Sequence, residues 1–238
     1  MNNKTLSENI EEYLEVLYKY GNKKEYVSTT TISKNLNIAP GSVTQMLKKL
    51  EDLGYINYIP YKGANLSGEG FKIAQKITRK HRILEKFLTE ILKINPQNVH
   101  IQACDMEHSL SDEAERAMCH ILEHPDICPG NKTIPPCDFD FTTCNDCLSD
   151  EISFKEIGVR KTNLIAISDL YSNEKAEVSF IRGDSGVLKQ LVGLGIAIGT
   201  PVQVDEMNKV NDYLGVLVNG SKIELPRNIA NNIFVKVC

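Results

Sequence analysis

Apolar side chains recur three and four residues apart through the first 54 residues, a spacing that predicts amphipathic helices. Residues 7–20 form the first such segment, residues 28–35 form a short second one, and a third begins at about Ser42. A turn rich in Asn, Pro and Gly separates the second segment from the third. Two helices joined by a short turn, with polar residues leading the second, are typical of a helix-turn-helix unit.

The spacing changes at residues 56–66, where the pattern predicts two short strands joined by a turn at Lys62-Gly63. A long helix is predicted next, over about residues 68–92. A β-hairpin directly after a helix-turn-helix unit forms the wing of a winged helix. We therefore predict a winged-helix domain at residues 1–72.

The remainder of the chain predicts two further domains. The apolar spacing predicts helices at residues 95–108 and 111–122. A loop rich in Pro, Cys and Asp follows at residues 124–150 and completes a helical domain at residues 73–150. Beyond Leu164, short alternating runs and the turn Asn219-Gly220 predict a small antiparallel, SH3-like β-barrel at residues 160–238. The predicted fold class is a multidomain α+β protein.

The charges are distributed unevenly along the chain. Residues 1–95 carry a net charge of +5, residues 96–155 carry −9, and the rest is neutral. This distribution suits DNA binding by the first segment and cation binding by the second, although the two segments also attract each other. The chain has no apolar run long enough to span a membrane and no secretory signal, so we expect a cytoplasmic protein without a membrane partner.

The predicted second helix of the helix-turn-helix unit carries side chains suited to DNA. Ser42, Thr44 and Gln45 are of a size and polarity to reach base edges or phosphates, and lysines neutralise phosphates. The alternative is a winged helix that serves as a protein-interaction module. The candidate DNA-binding residues are Thr29, Ser42, Thr44, Gln45, Lys48, Lys49 and Lys62.

Metal-ligating side chains cluster between residues 81 and 108. Cys104, Glu107 and His108 fall at positions i, i+3 and i+4, which places them on one face of a helix. His81 and Glu85 are four residues apart on the preceding helix, and His100 lies four residues before Cys104. This mixture of sulfur, nitrogen and oxygen donors favours a divalent first-row transition metal over calcium or magnesium, without selecting which.

Four further cysteines lie in the loop, namely Cys128, Cys137, Cys144 and Cys147, with the spacing C-x8-C-x6-C-x2-C. The C-x2-C pair is common in structural zinc sites, and thiols in a cytosolic chain are more often metal ligands than disulfides. We predict structural Zn²⁺ here. An iron–sulfur cluster, a redox switch or unused thiols are the alternatives.

Several motifs resemble the diphtheria-toxin-repressor family of iron- and manganese-dependent regulators, over nearly the whole chain. They are NIEEYL at 9–14, SVTQ at 42–45, YKG at 61–63, HRxLE at 81–85 and VHxxxCxxEHxLS at 99–111. The segment VLKQLxxLGIxxGxxV at 187–202 resembles the SH3-like domain of ferrous-transport protein A. The resemblance implies that residues 73–150 form the metal-binding and dimerisation domain.

The resemblance also implies two metal sites. The primary site comprises Glu12, Cys104, Glu107 and His108, and the ancillary site comprises His81, Glu85 and His100. Glu15 and Asp184 are further acidic candidates. Glu12 is similar to the manganese branch and Cys104 to the iron branch, so the expected metal is Fe²⁺, with Mn²⁺ as the alternative.

The function implied is a metal-dependent repressor that binds a palindromic DNA operator as a homodimer and controls metal-homeostasis genes. The sequence offers no paired nucleophile and base, no phosphate loop and no cofactor fingerprint, so we expect no enzyme activity. A winged-helix regulator that senses redox state through Cys128, Cys137, Cys144 and Cys147 is the alternative function.

Overall fold

The computed structural model describes residues 6–21, 25–148, 159–208 and 212–237. The chain divides into two compact units. The first unit contains Met1–Leu84 and Ile94–Leu110, and the second contains Glu85–Lys93 and Ser111–Cys238. The finer division into three domains, at residues 1–72, 73–150 and 160–238, stays a prediction.

The first unit begins with the three helices that the apolar spacing predicts. They are α1 (Glu8–Tyr20), α2 (Thr29–Leu36) and α3 (Pro40–Asp52). Ser28 caps α2, since its hydroxyl accepts a hydrogen bond from the Thr31 amide at 3.1 Å. Asn37 ends α2 in the left-handed conformation, and Pro40 begins α3, two residues earlier than expected. The helix-turn-helix prediction is thereby confirmed.

The wing, the next helix as far as Leu84, and one further helix complete the first unit. Strands β1 (Ile56–Ile59) and β2 (Gly63–Leu66) pair antiparallel, and Val27 bridges to Ala64. Helices α4 (Gly68–Glu90) and α5 (Pro96–Glu107) follow. The hydrophobic core joins α1, α2, α3, the wing and the start of α4 through Ile10, Tyr13, Leu14, Val16, Leu17, Val27, Ile32, Val43, Leu47, Leu50, Ile56, Ala64 and Ala74.

Gly70 allows the first turn of α4 to pack against the backbone that follows α3. A Cβ added at Gly70 would lie 1.9 Å from the carbonyl oxygen of Tyr55. We expect Gly70→Ala to lower the free energy of unfolding by about 3 kcal/mol, because one backbone segment must move. The measurement is urea unfolding of the full chain followed by circular dichroism.

Gly41→Ala is the matched control, because a Cβ at Gly41 in α3 would meet no atom within 4 Å. Replacing a helical glycine with alanine stabilises a helix by roughly 0.5–1 kcal/mol, so this variant should be as stable as the parent or slightly more so. Equal stability of the two variants would contradict the close approach of Gly70 to Tyr55.

The second unit is built on a six-stranded antiparallel sheet, in the order β3-β8-β4-β5-β6-β7. The strands are β3 (Ile165–Ala166), β4 (Lys175–Ile181), β5 (Pro201–Asn208), β6 (Tyr213–Val218), β7 (Ser221–Pro226) and β8 (Ile233–Val237). Asn219 and Gly220 both have positive φ angles, 50° and 83°, which suits a tight turn between β6 and β7. The predicted hairpin is confirmed.

The helices of the second unit are α6 (Asp112–Ile121), α7 (Cys144–Leu148), α8 (Ser185–Gly193) and α9 (Arg227–Ala230). Helix α7 lies inside the segment that the sequence predicts to be a loop. Its start is fixed by a reciprocal pair, in which the Asp146 carboxylate accepts from the Thr143 amide at 2.9 Å and the Thr143 hydroxyl accepts from the Asp146 amide at 3.2 Å. A single capped turn is too short to produce a visible apolar period.

Two buried arginines hold the cysteine-rich segment in the second unit. Arg160 donates to the carbonyl oxygens of Cys137 and Phe141, each at 2.6 Å. Arg182 donates to the carbonyl oxygens of Ile134 and Pro135, each at 2.9 Å. Hydrogen bonds from charged donors offset the cost of burying these guanidinium groups, so the segment is ordered without a regular backbone pattern.

None of the helices in the described part of the chain is both long enough and apolar enough to cross a membrane.

Candidate metal centre and DNA-binding surface

Helices α4 and α5 bring the candidate ligands of the first unit together. His81 lies on α4, and His100, Cys104 and Glu107 lie on α5, which His108 ends. One donor atom from each of His81, His100 and Cys104 lies within 4.8 Å of the other two. Residues on two helices thus form one cluster.

His81 is at the middle of this cluster. Its Nδ1 lies 2.6 Å from Oε2 of Glu107, and its Nε2 lies 3.1 Å from Nδ1 of His100. The Cys104 Sγ lies 3.9 Å from the same Nδ1 of His81. The residues expected for the primary and ancillary sites therefore contact each other directly.

Glu107 joins His81 to His108. Its side chain is 2 % exposed, and its Oε1 lies 3.4 Å from Nε2 of His108. The other ring nitrogen of His108, Nδ1, lies 2.6 Å from Oε2 of Glu11 on α1. A continuous chain of polar contacts thus runs from α1 through His108 and Glu107 to His81 on α4.

Two groups of the cluster, Glu15 and His108, have raised pKa values. Burial and the negative charge of Glu107 raise the pKa of Glu15 to about 7. Burial alone would lower the pKa of His108, but its hydrogen bond to Glu11 and the charge of Glu107 outweigh this and raise the pKa. The cluster therefore attracts positive charge, whether protons or a cation.

The structure places Glu11, and not Glu12, against His108. Glu12 is exposed, whereas Glu11 and Glu15 are half-buried and lie four residues apart on α1. Consecutive residues of a helix point about 100° apart, so Glu11 and Glu12 leave α1 in different directions and cannot both occupy the place that Glu11 holds against Nδ1 of His108. The sequence offers no local signal that selects Glu11, because Glu11 and Glu12 both lie within about one turn of Glu15.

Two acidic candidates remain, Glu85 and Asp184. Glu85 lies one turn after His81 on α4. Asp184 is the N-cap of α8, where its Oδ1 accepts hydrogen bonds from the amides of Gly186 and Val187, each at 2.9 Å. A helix cap is a sufficient structural reason for an acidic residue at position 184.

The candidate DNA-binding residues lie at the start of α3 and in the wing. Ser42, Gln45, Lys48 and Lys49 are exposed on α3. Thr44 is half-buried, and its hydroxyl donates to the carbonyl oxygen of Pro40 at 3.0 Å, so this hydroxyl has a partner within the helix.

Thr29, the first residue of α2, is half-buried, and Lys62 is exposed with its Nζ 4.2 Å from the centre of the Tyr26 ring. Tyr61, beside Lys62 in the wing turn, is fully exposed. Exposed polar side chains on α3 and a lysine on the wing are the arrangement that a DNA-binding winged helix requires.

The four loop cysteines lie in different environments. Cys137 and Cys144 pack against Phe180 and Phe234 of the sheet, and burial raises the pKa of the Cys144 thiol to about 12. Cys128 is buried in a turn closed by its amide, which donates to the carbonyl oxygen of Lys132. Within the described ranges, no three of the four thiols lie within 4.8 Å of one another.

Cys147 instead lies against α6. Its Sγ is 3.1 Å from Nε2 of His120, and donor atoms of His120, His124 and Cys147 all lie within 4.8 Å of one another. Burial and the charge of Arg116 lower the pKa of His120. The sequence analysis missed His120 and His124. They are four residues apart, but His124 lies beyond the end of α6, so helical spacing does not account for their approach.

Three family models match the chain. The N-terminal DNA binding domain of iron dependent repressors matches residues 5–64, their metal binding and dimerisation domain matches residues 67–136, and the FeoA domain matches residues 165–237. The first two describe metal-dependent DNA-binding proteins and give the redox-sensing alternative no support.

Relatives cover the chain in part or in full. An uncharacterized HTH-type transcriptional regulator of Methanocaldococcus jannaschii is 43% identical over 109 residues, 45% of this chain and 87% of the relative. A diphtheria toxin repressor of Corynebacterium glutamicum is 27% identical over 239 residues, 98% of each chain.

A solved structure described as a manganese-dependent transcriptional repressor in complex with manganese covers 96% of this chain and 100% of its own. Its TM-score is 0.50 at 20% identity, which shows a shared fold. The predicted winged helix, helical domain and SH3-like domain are confirmed by these matches.

Proposed function

This chain belongs to the family of iron-dependent repressors, which regulate transcription in response to metal, and on that premise we propose how its residues couple metal to DNA. The functional form is a homodimer that represses transcription at a palindromic operator when ferrous iron or manganese is bound in the first unit. The observation that carries this proposal is the position of Glu107 between His81 and His108, with Glu11 of α1 bound to His108.

The chemistry of the cluster suits a divalent first-row metal. It combines the thiol of Cys104, imidazoles and carboxylates, a mixture that such metals accept and that calcium or magnesium does not prefer. Burial and the charge of Glu107 together raise the pKa of Glu15 to about 7, so the Glu15 carboxyl retains a proton near neutral pH. A bound dication would replace that proton and relieve the repulsion.

The position of α1 provides the coupling to DNA. Helix α1 shares a hydrophobic core with α2 and α3, where Leu14, Ile32 and Leu47 are fully buried. Drawing the α1 carboxylates towards α5 therefore biases the position of α3, the helix that faces DNA. Bound metal would shift the population of conformations. It would favour the arrangement in which the two recognition helices of a dimer enter successive major grooves, roughly 34 Å apart.

We assign the ligands in two groups. The primary group is Glu12, Glu15, Cys104, Glu107 and His108, and the ancillary group is His81, Glu85 and His100. Histidines that bind metals usually donate their other ring N–H to a carboxylate, which orients the ring. The contact between Glu11 and Nδ1 of His108 has this form, and it leaves Nε2 facing Glu107. Glu11 is therefore a positioning residue for His108.

Matched variants on α1 separate these roles. We expect Glu12→Gln, which removes a ligand, to weaken metal binding by about 100-fold, and Glu11→Gln, which removes a hydrogen-bond acceptor, by about 10-fold. Isothermal titration of the full chain with Mn²⁺ measures both affinities. A larger loss for Glu11→Gln would make Glu11 the ligand and Glu12 a surface residue.

The activating metal is ferrous iron in this proposal, because Cys104 supplies a soft thiolate, and manganese is the alternative because α1 supplies carboxylates. The test is a DNA-binding titration of the full chain against Fe²⁺, Mn²⁺, Co²⁺, Ni²⁺ and Zn²⁺ under anaerobic, reducing conditions. We expect tight DNA binding only with metal, at the lowest concentration for Fe²⁺. Equal DNA binding with and without all five metals would overturn the proposed function.

A further inference from the structure

The second unit contains a cluster of imidazoles and thiols that takes no part in the proposed control of DNA binding. His120 lies on α6, His124 lies just beyond its end, and Cys147 lies on α7. One donor atom from each lies within 4.8 Å of the other two. Cys119 lies beside this group: its Sγ is 3.5 Å from Nδ1 of His124, but it does not lie within 4.8 Å of all three of the other donors.

Two of the distances are close to those between ligands that share one tetrahedral metal. Zinc binds sulfur at about 2.3 Å and nitrogen at about 2.0 Å, so a sulfur and a nitrogen on the same ion lie about 3.5 Å apart. The two thiol–imidazole pairs are separated by 3.1 Å (Cys147 to His120) and 3.5 Å (Cys119 to His124). The rings of His120 and His124 also lie close, with 5.0 Å between their centres.

A reversal of the backbone after α6 places His124 beside Cys119. Glu123 and His124 both have positive φ angles, 55° and 56°, which are uncommon for residues other than glycine. The reversal lets the His124 amide donate to the carbonyl oxygen of Cys119 at 2.9 Å, which returns the His124 ring to the end of α6. Residues in such conformations persist where the surroundings require them, and they concentrate at functional sites.

Helix α7 places Cys147 beside His120. The Thr143–Asp146 pair fixes the start of α7, and Arg116 of α6 donates to the Cys147 carbonyl oxygen at 3.3 Å. Cys119 and Cys147 are each 5 % exposed. Two thiolates and two neutral imidazoles would balance the charge of one divalent cation, which is the condition for burying such an ion.

We infer that the second unit binds one zinc-class divalent ion through His120, His124 and Cys147, with Cys119 as the fourth ligand. Binding releases the thiol protons of Cys119 and Cys147 to solvent. This ligand set replaces the site of four loop cysteines predicted from spacing. It leaves Cys137 and Cys144 as core residues against the sheet and Cys128 as a turn residue.

The test uses Co²⁺ as a spectroscopic substitute for zinc in the full chain carrying Glu107→Gln, which weakens the first-unit site. Thiolate-to-cobalt charge-transfer bands report sulfur ligands, and strong visible bands report tetrahedral geometry. We expect one equivalent of Co²⁺ with both features. Cys147→Ser should reduce the charge-transfer intensity by about half, as should Cys119→Ser, and Cys128→Ser should leave it unchanged.

His124→Asn provides a check that does not depend on a thiol, since Asn tolerates the left-handed conformation of position 124. We expect the tetrahedral visible bands to be lost while the far-ultraviolet circular dichroism stays that of the parent. The inference is overturned if no cobalt–thiolate band forms, since the contacts are then thiol–imidazole hydrogen bonds. It is also overturned if Cys128→Ser removes the bands, or if the purified chain contains an iron–sulfur cluster.

Because Glu107→Gln is present throughout, failure of this site leaves the proposed control of DNA binding untouched, and the converse also holds.

Discussion

Glu107→Ala and His108→Ala should each abolish the stimulation of DNA binding by metal. Glu107 contacts both His81 and His108, and it is almost fully buried, so its removal separates the ligands of α4 from those at the end of α5. Loss of a partner that merely orients a ligand costs 10–100-fold in metal affinity, so loss of a ligand should cost about 100-fold or more. Fluorescence anisotropy of a labelled DNA duplex, titrated with protein at fixed Fe²⁺ or Mn²⁺, measures the effect.

Asp105→Ala is the matched control, because Asp105 is an exposed acidic residue on the same helix, two positions before Glu107. It should retain the response of the parent chain. Metal-stimulated DNA binding that survives in both Glu107→Ala and His108→Ala would show that the metal acts elsewhere in the chain.

Lys48→Gln and Lys49→Gln should weaken DNA binding without changing metal affinity. Both lysines are exposed on α3, where we propose that they neutralise phosphates. Each phosphate contact contributes about 0.9 to the slope of log affinity against log salt, and a dimer loses two contacts for each substitution. The slope should therefore fall by about 2 for each variant, in DNA-binding titrations at several salt concentrations.

Lys189→Gln controls for the loss of positive charge alone. Lys189 is exposed on α8 in the second unit, within the region that matches the FeoA domain. Its replacement should leave the salt slope unchanged. A similar decrease for Lys189→Gln and Lys48→Gln would mean that overall charge, and not the α3 surface, determines DNA binding.

The elements of the fold followed from local sequence because their signals are local. The hairpin at Asn219-Gly220 was predictable since both residues tolerate the positive φ angles of a two-residue turn. Helix α2 was predictable from Ser28, whose hydroxyl caps it, and from the buried Ile32. Helix α7 was not, because one turn stabilised by Thr143 and Asp146 leaves no periodic pattern.

The candidate sites were predictable only where one helix carries the ligands. The spacing of Cys104, Glu107 and His108 was sufficient to place them on one face. The contact of His108 with Glu11 joins residues 97 positions apart, and local spacing cannot distinguish Glu11 from its neighbour Glu12. The approach of Cys147 to His120 likewise depends on the packing of α7 beside α6, which the loop sequence does not encode as a pattern.

Reciprocal linkage tests the central claim most directly, namely that metal at the Glu107 cluster and DNA at α3 favour the same arrangement of the first unit. Metal affinity would be measured with and without a duplex selected from a random pool, and duplex affinity with and without the activating metal, anaerobically at one salt concentration. Coupling between two sites must be equal in both directions and is commonly about 5–150-fold. The account predicts that DNA tightens metal binding by the same factor, above about 10, by which metal tightens DNA binding. A factor of one in both directions would contradict it.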